Sequence, residues 1–391
     1  MLNLIKLKMG DKMERREILT EQSQRNYGID LLRILSMMMV VMLHCLAQGG
    51  ILRNAEPLSL KYELGWLLEI AAFCAVNCYA LISGYVGYGR KVRYSSLFYI
   101  VAQVTFYTLV ITVVFKIAAP GTVGMFALLK ALFPIAYEEY WYITAYFCLF
   151  FFLPFLNQAL ETASRQTLQK LIFAQIFVLC VLPTLYQMDV PRIKWGYSFV
   201  WLGFLYLIGA YIKEYGAFQQ IGAAKAGSGY LLCVLFTWGS RWGVEAVTTQ
   251  IFGTPKLEDY LIQYNSPAIL FCSVCLLLCF SKVKLGKAMM CFIGFFAPAA
   301  FGVYIIHCHP LVFQYVIKDL CTGYLQFDLW MMFCALVGTV LAIWLVCSLI
   351  EKMRIFLFDL LRIKVLCSWL EEKIRFWLRC AAKYVECNRQ T

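Results

Sequence analysis

The sequence predicts an all-α integral membrane protein, with about ten transmembrane helices in one bundle. Three observations carry that expectation. The 391 residues are 62% hydrophobic and only 15% charged, whereas a soluble domain carries about 25% charged residues. The apolar residues fall into runs of roughly 17–25, the length that crosses a hydrocarbon core about 30 Å thick. The basic residues between the runs alternate in density. With the amino terminus inside, one side holds 25 Lys plus Arg and the other 8, the bias of the positive-inside rule. The net charge of +12 is therefore spread along one membrane face, and no nucleic-acid partner is expected. Both termini are expected in the cytoplasm, with the protein in the cytoplasmic membrane.

Residues 1–27 are polar and basic, a cytoplasmic segment without the apolar core and small-residue site of a cleavable leader. The membrane domain spans 28–350. Its runs lie near 28–48, 64–86, 95–118, 140–160, 170–187, 199–215, 229–251, 264–281, 289–312 and 329–350. Between the third and fourth, MFALLKALFPIAYEEY predicts a short surface helix. The cysteines at 272, 275 and 279 share one helical face and read as small apolar residues. The tail, 351–391, mixes Leu, Ile, Phe and Trp with nine basic residues. That mixture suits an amphipathic helix on an anionic leaflet.

Charged side chains inside spans cost roughly 2.5–3.5 kcal/mol each on insertion scales and tend to be functional. The first run, GIDLLRILSMMMVVMLHC, holds Arg33 and His44. Eleven residues at 100° each complete three turns with about 20° to spare, so the two share a face roughly 16 Å apart along the axis. Asp30, one turn before Arg33, offsets the guanidinium. A neutral imidazole at that depth suits a general base; it equally suits a histidine satisfied by a polar neighbour. The second run carries Glu69 and Asn77, either of which could orient an imidazole. It ends in Ser83, Gly84 and Tyr85, read as a glycine-rich turn, followed by Arg90, Lys91 and Arg93. Three cations at a membrane boundary suit phosphate groups as well as simple anchoring. Arg241 and Glu245 are one turn apart and can neutralise each other. His307, Cys308 and His309 form H-C-H, but on one helix side chains two apart point about 200° apart; they could share an ion only if the helix ends there, which Pro310 allows, and no metal site is expected. H-x4-D, G-x-S-x-G and G-x4-G-K-[ST] patterns are all absent.

I-D-L-L-R followed by ten residues and His44 resembles the first-span motif of membrane acyltransferase family 3, which includes bacterial polysaccharide O-acetyltransferases. The resemblance continues through L-I-S-G-Y at 81–85, R-K-V-R at 90–93, Y-W-Y-I-T-A-Y and L-P-F-L-N within 140–157, and G-V-Y-I-I-H at 302–307. It implies ten helices and transfer of an acyl group, commonly acetyl, from cytoplasmic acyl-CoA to a sugar hydroxyl. It makes His44 catalytic, with Arg33 essential on the same helix. Arg90 and Arg93 fit an R-x-x-R motif for coenzyme A phosphates, with Lys91 between them. Trp141, Tyr142 and His307 join Asp30, Glu69, Asn77, Ser83 and Tyr85 as cavity or substrate candidates. Many relatives carry a fused extracytoplasmic domain that this sequence lacks, which points to a lipid-linked glycan or other carbohydrate acceptor at the bilayer, or to a product that leaves through other proteins. The donor is expected to be acetyl-CoA, without a metal cofactor. The alternative is a small-molecule permease whose pore is lined by Arg33 and His44.

Overall fold

The computed structural model describes residues 25–254, 256 and 259–389. Most of the basic segment 1–27 therefore lies outside the described residues. Thirteen helices are named here in chain order: α1 (Tyr27–Leu46), α2 (Leu60–Phe73), α3 (Ala75–Gly87), α4 (Tyr94–Ala118), α5 (Trp141–Thr162), α6 (Arg165–Ile176), α7 (Phe199–Tyr215), α8 (Ala223–Phe252), α9 (Pro267–Ser281), α10 (Lys287–Phe296), α11 (Ala300–His307), α12 (Leu329–Leu360) and α13 (Ile363–Arg389). The described residues contain no strand.

By length and composition, seven helical stretches among the described residues can cross a membrane: 27–54, 60–87, 94–118, 141–162, 165–186, 287–307 and 329–360. The expected count of about ten does not follow from them. The other three expected runs are all helical. However, α7 has 17 residues and α9 has 15, and the 30-residue α8 is diluted by polar side chains. The last long helix continues to Leu360 before α13 begins. The expected surface helix between α4 and α5 forms at Ala127–Leu132.

Helix α1 is the hub of the bundle, in contact with α2, α3, α9, α10, α11 and α12. Asn26 caps it by accepting from the Gly28 and Ile29 amides, and donates its own amide to the Ser281 carbonyl. Such a cap stabilises a helix by about 1 kcal/mol. Asp30 in the first turn also complements the helix dipole. At the far end, Asp319 and Cys321 donate backbone amides to Gln48 and Gly49 at 3.0 and 2.9 Å. The chain after α11 is thereby tied to the end of α1.

Two buried ionic clusters hold the periphery. Arg241 lies over the Trp66 ring, 4.2 Å from its centroid, and pairs with Glu245 and Glu63. In the other cluster, Glu351 pairs with Arg354 and accepts from Gln103 and Tyr107. Each cation is matched by a carboxylate, the arrangement that makes buried charge tolerable.

The glycines at 84 and 209 set the closest helix contact. Ser83, Gly84 and Tyr85 lie inside α3, which runs on to Gly87, so the expected glycine-rich turn begins only at Tyr88. A Cβ on Gly84 would stand 1.9 Å from the Tyr206 carbonyl oxygen, and one on Gly209 would stand 2.0 Å from that of Leu81. Helices α3 and α7 thus meet backbone to backbone, and Gly84 serves packing, not phosphate. Replacing Gly84 by Ala is expected to lower the thermal midpoint in detergent, at an overpacking cost of roughly 1–3 kcal/mol or more. Gly87→Ala is the control. Its Cβ would meet only the Tyr206 ring, at 3.6 Å, and equal midpoints for the two variants would refute the packing role.

Candidate active site

A cavity of about 480 Å³ opens where α1 begins and α3 ends. Its wall includes Arg33, Tyr79, Ser83, Arg90, Lys91 and Arg93, with Tyr142, Tyr146 and Tyr206 on the facing helices. Arg90, Lys91 and Arg93 are exposed, and none pairs with a carboxylate among the described residues. They follow Gly89, whose φ of +79° turns the chain in a region where glycine carries no Cβ penalty. On the opposite wall the helical run 287–307 tightens at Ala297–Ala299, around Pro298, and Ala297 and Pro298 face the same space.

Arg33 donates to Asp30 at 2.6 Å, and Asp30 also accepts from Arg25 at 2.6 Å. The carboxylate is buried, whereas the Arg33 side chain keeps 32% exposure. Asp30 therefore holds the guanidinium from below while the rest of it meets the cavity. Tyr79 donates its hydroxyl to the Arg33 carbonyl at 2.7 Å.

A second, smaller space of about 50 Å³ holds His44, with Trp141, Tyr264 and Tyr304 among its walls. Tyr79, Tyr142 and Phe301 line both spaces. They form the wall that the two spaces share. Arg33 and His44 sit on one unbroken helix, so helical rise sets them roughly 16 Å apart along its axis, Arg33 in the wall of the larger space and His44 in that of the smaller.

His44 has a definite partner. Its Nδ1 lies 3.0 Å from His307 Nε2, and His307 Nδ1 lies 2.6 Å from the Val303 carbonyl oxygen. A carbonyl only accepts, so His307 Nδ1 carries the proton. In the neutral ring Nε2 then accepts, and His44 Nδ1 must donate to it. That leaves His44 Nε2 with its lone pair, the form in which an imidazole takes a proton. Phe313 packs edge-on to His44 with ring centroids 5.0 Å apart, which fixes the ring plane. Cys308 Sγ lies 3.3 Å from His307 Nε2 and 3.5 Å from His44 Nδ1.

Four residues of G-V-Y-I-I-H help to build the site around His307. Gly302 leaves room for the Glu351 carboxyl, which would stand 2.4 Å from a Cβ there. Val303 supplies the accepting carbonyl, Tyr304 walls the small cavity, and Ile305 accepts from Tyr140 at 2.9 Å.

Other candidates lie elsewhere. Asn77 donates to the Tyr264 carbonyl at 2.7 Å and accepts from Trp201 Nε1 at 3.0 Å, a buried clamp that does not reach His44. Glu69 is buried, and its Oε2 has no hydrogen-bond partner among the described residues. Tyr85 sits beneath Lys213, 5.3 Å from its ring centroid, outside both cavities. His309 caps the short helix after α11 by accepting from the Leu311 amide, so the two histidines of H-C-H do not converge. Tyr79, Tyr146, Tyr206, Phe301 and Tyr304 were not singled out from the sequence. Tyr79 carried a usable signal, being one turn before Ser83 on the same helix.

The tail helix α13 docks beside the basic mouth. Glu371 accepts from the Ser95 amide at 2.9 Å and pairs with Arg375 at 2.7 Å. Burial opposes its charge, but Ser95 and Arg375 outweigh that and hold the carboxyl down at about 2. A depressed carboxylate contributes stability that is lost only as pH falls towards the folded value, so this contact persists across the neutral range.

Fold and site together define an all-α membrane protein with a basic cavity beside a smaller space that holds an oriented imidazole. Residues 26–349 match the family model of the acyltransferase domain, and the chain belongs to that family, acyltransferase family 3. It is thus a membrane acyltransferase. No curated protein and no solved structure matches the chain.

Proposed function

We propose that the protein moves an acyl group, acetyl in the first instance, from cytoplasmic acyl-CoA to a hydroxyl of a cell-envelope glycan, with His44 as general base. The observation that carries this reading is the hydrogen-bonded line from Val303 through His307 to His44, which leaves one imidazole nitrogen ready for a proton. The donor's phosphates lie at Arg90, Lys91 and Arg93, and its pantetheine arm passes Arg33 and the shared wall of Tyr79, Tyr142 and Phe301 towards His44. An extended arm of a dozen or so bonds reaches on the order of 15 Å by chain geometry, comparable with the axial rise of roughly 16 Å from Arg33 to His44. His44 Nε2 takes the acceptor's hydroxyl proton, and the oxygen attacks the thioester carbonyl. Collapse of the tetrahedral species breaks the C–S bond, and the proton on Nε2 passes to the leaving thiolate.

The small cavity favours a short acyl group, since about 50 Å³ holds only a few heavy atoms where one water needs roughly 10–15 Å³. This reading keeps ten spans, with α7, α8 and α9 among them, and places the mouth and both termini in the cytoplasm of a cell whose cytoplasmic membrane holds the protein. The transfer uses no metal. Family membership does not favour the permease alternative.

The test is donor dependence. Membranes carrying the protein are expected to incorporate labelled acetyl from acetyl-CoA into a glycan fraction, and membranes without it are not. Counterflow of a small solute in liposomes without acyl-CoA, and no incorporation, would overturn the proposal. Arg90→Ala and Arg93→Ala are each expected to raise KM for acyl-CoA about tenfold or more with kcat little changed. A charged hydrogen bond contributes roughly 1.5–3 kcal/mol, and its loss before the chemical step weakens binding alone. Initial rates against donor concentration give both parameters.

A further inference from the structure

We propose that His44, His307 and Cys308 form a site for a borderline-soft divalent cation of the zinc class, and that its occupation blocks acyl transfer. The block rests on His44 acting as base; the binding does not.

The three ligand atoms already lie at coordination spacing. His44 Nδ1 and His307 Nε2 are 3.0 Å apart, and Cys308 Sγ is 3.5 and 3.3 Å from them. Zinc bond lengths of about 2.0–2.1 Å to nitrogen and 2.3 Å to sulfur, at tetrahedral angles, separate two nitrogens by roughly 3.3 Å and nitrogen from sulfur by roughly 3.6 Å. An outward movement of a few tenths of an ångström suffices. An independent observation points the same way. His307 donates its other ring nitrogen to the Val303 carbonyl, the outer contact that fixes ring orientation in metal-ligating histidines. The donor set of two imidazoles and one thiolate suits zinc and related ions over magnesium or calcium. The fourth position remains for water, as in open zinc sites.

Binding is incompatible with catalysis for a reason of proton placement. Coordination through His44 Nδ1 moves that ring's proton to Nε2, and the Cys308 thiol proton leaves to solvent. Nε2 then has no lone pair to take the acceptor's proton. The ion fits the site as an inhibitor, not as a cofactor.

Full-length protein in nanodiscs, stripped with a chelator, gives the test. Titration with cobalt(II), then zinc(II), is expected to show a thiolate-to-cobalt charge-transfer band that Cys308→Ser loses, and zinc binding at least tenfold weaker in that variant. His307→Ala, which perturbs a different ligand, is expected to weaken binding similarly. Zinc is expected to reduce wild-type acyl transfer at least tenfold, reversibly with chelator. A cobalt spectrum and zinc affinity unchanged in both variants would overturn the site. Binding with the thiolate band but an undiminished rate would overturn the block. The base role of His44 is judged separately by the metal-free His44→Ala rate.

Discussion

Replacing His44 by Ala is expected to reduce acyl transfer by roughly 10²–10⁴-fold, the range supplied by a positioned general base. The hydroxyl of a sugar is a weak nucleophile, and attack on a thioester requires its proton to leave as the C–O bond forms. In this bundle the one nitrogen prepared for that proton is His44 Nε2, because Nδ1 is committed to His307. The loss should fall on kcat. KM for acyl-CoA should stay within a few-fold, since Arg90, Lys91 and Arg93 line the larger cavity, of which His44 is not part. That split distinguishes the variant from Arg90→Ala, which is expected to act on KM. Its side chain is only half-buried, next to a small cavity, so truncation leaves the helix contacts of α1 intact. Transfer in membranes at full rate, with the variant present at wild-type level, would end the assignment.

How far the sequence reaches is clear from particular residues. The long helices were legible because lipid demands about 20 apolar residues per crossing, and α1, α4 and α5 end within a few residues of where composition places them. The Arg33–His44 relation was legible too, since periodicity within an unbroken helix needs no knowledge of neighbours. The partner of His44 was not. It lies 263 positions away, and only the packing of α11 against α1 brings the two rings together. H-C-H did draw notice, but spacing along one helix set His307 against His309, where the structure sets it against α1. Gly84 failed for a related reason. A glycine near the end of a run reads as a turn, and the α7 backbone that requires it is more than a hundred residues further on. Short helices such as α7 escape length rules because neighbours bury them on nearly every side. Every residue from Trp201 to Ile212 is buried.

His307 is expected to behave as a positioning residue, with effects nearly as large as those of His44. His307→Leu removes the acceptor for His44 Nδ1–H, so the ring is free to flip or to take the tautomer with its proton on Nε2. The expected loss is roughly 10²-fold or more in kcat, by analogy with serine-protease triads, where the wrong tautomer alone costs about 10⁴. His307→Gln retains a side-chain carbonyl that can accept from Nδ1, and is expected to recover a substantial part of the rate. A merely structural role predicts no such order, since Gln is the more polar substitute in an apolar wall. Nitrogen NMR on labelled histidine supplies the decisive readout. In the wild type His44 should show a protonated Nδ1 and an unprotonated Nε2. In His307→Leu that pattern should be lost or averaged, while the folded fraction stays unchanged. If His307→Leu kept both the rate and the tautomer, the hydrogen bond would be incidental, and the base would owe its proton placement to the Cys308 sulfur 3.5 Å from the same nitrogen.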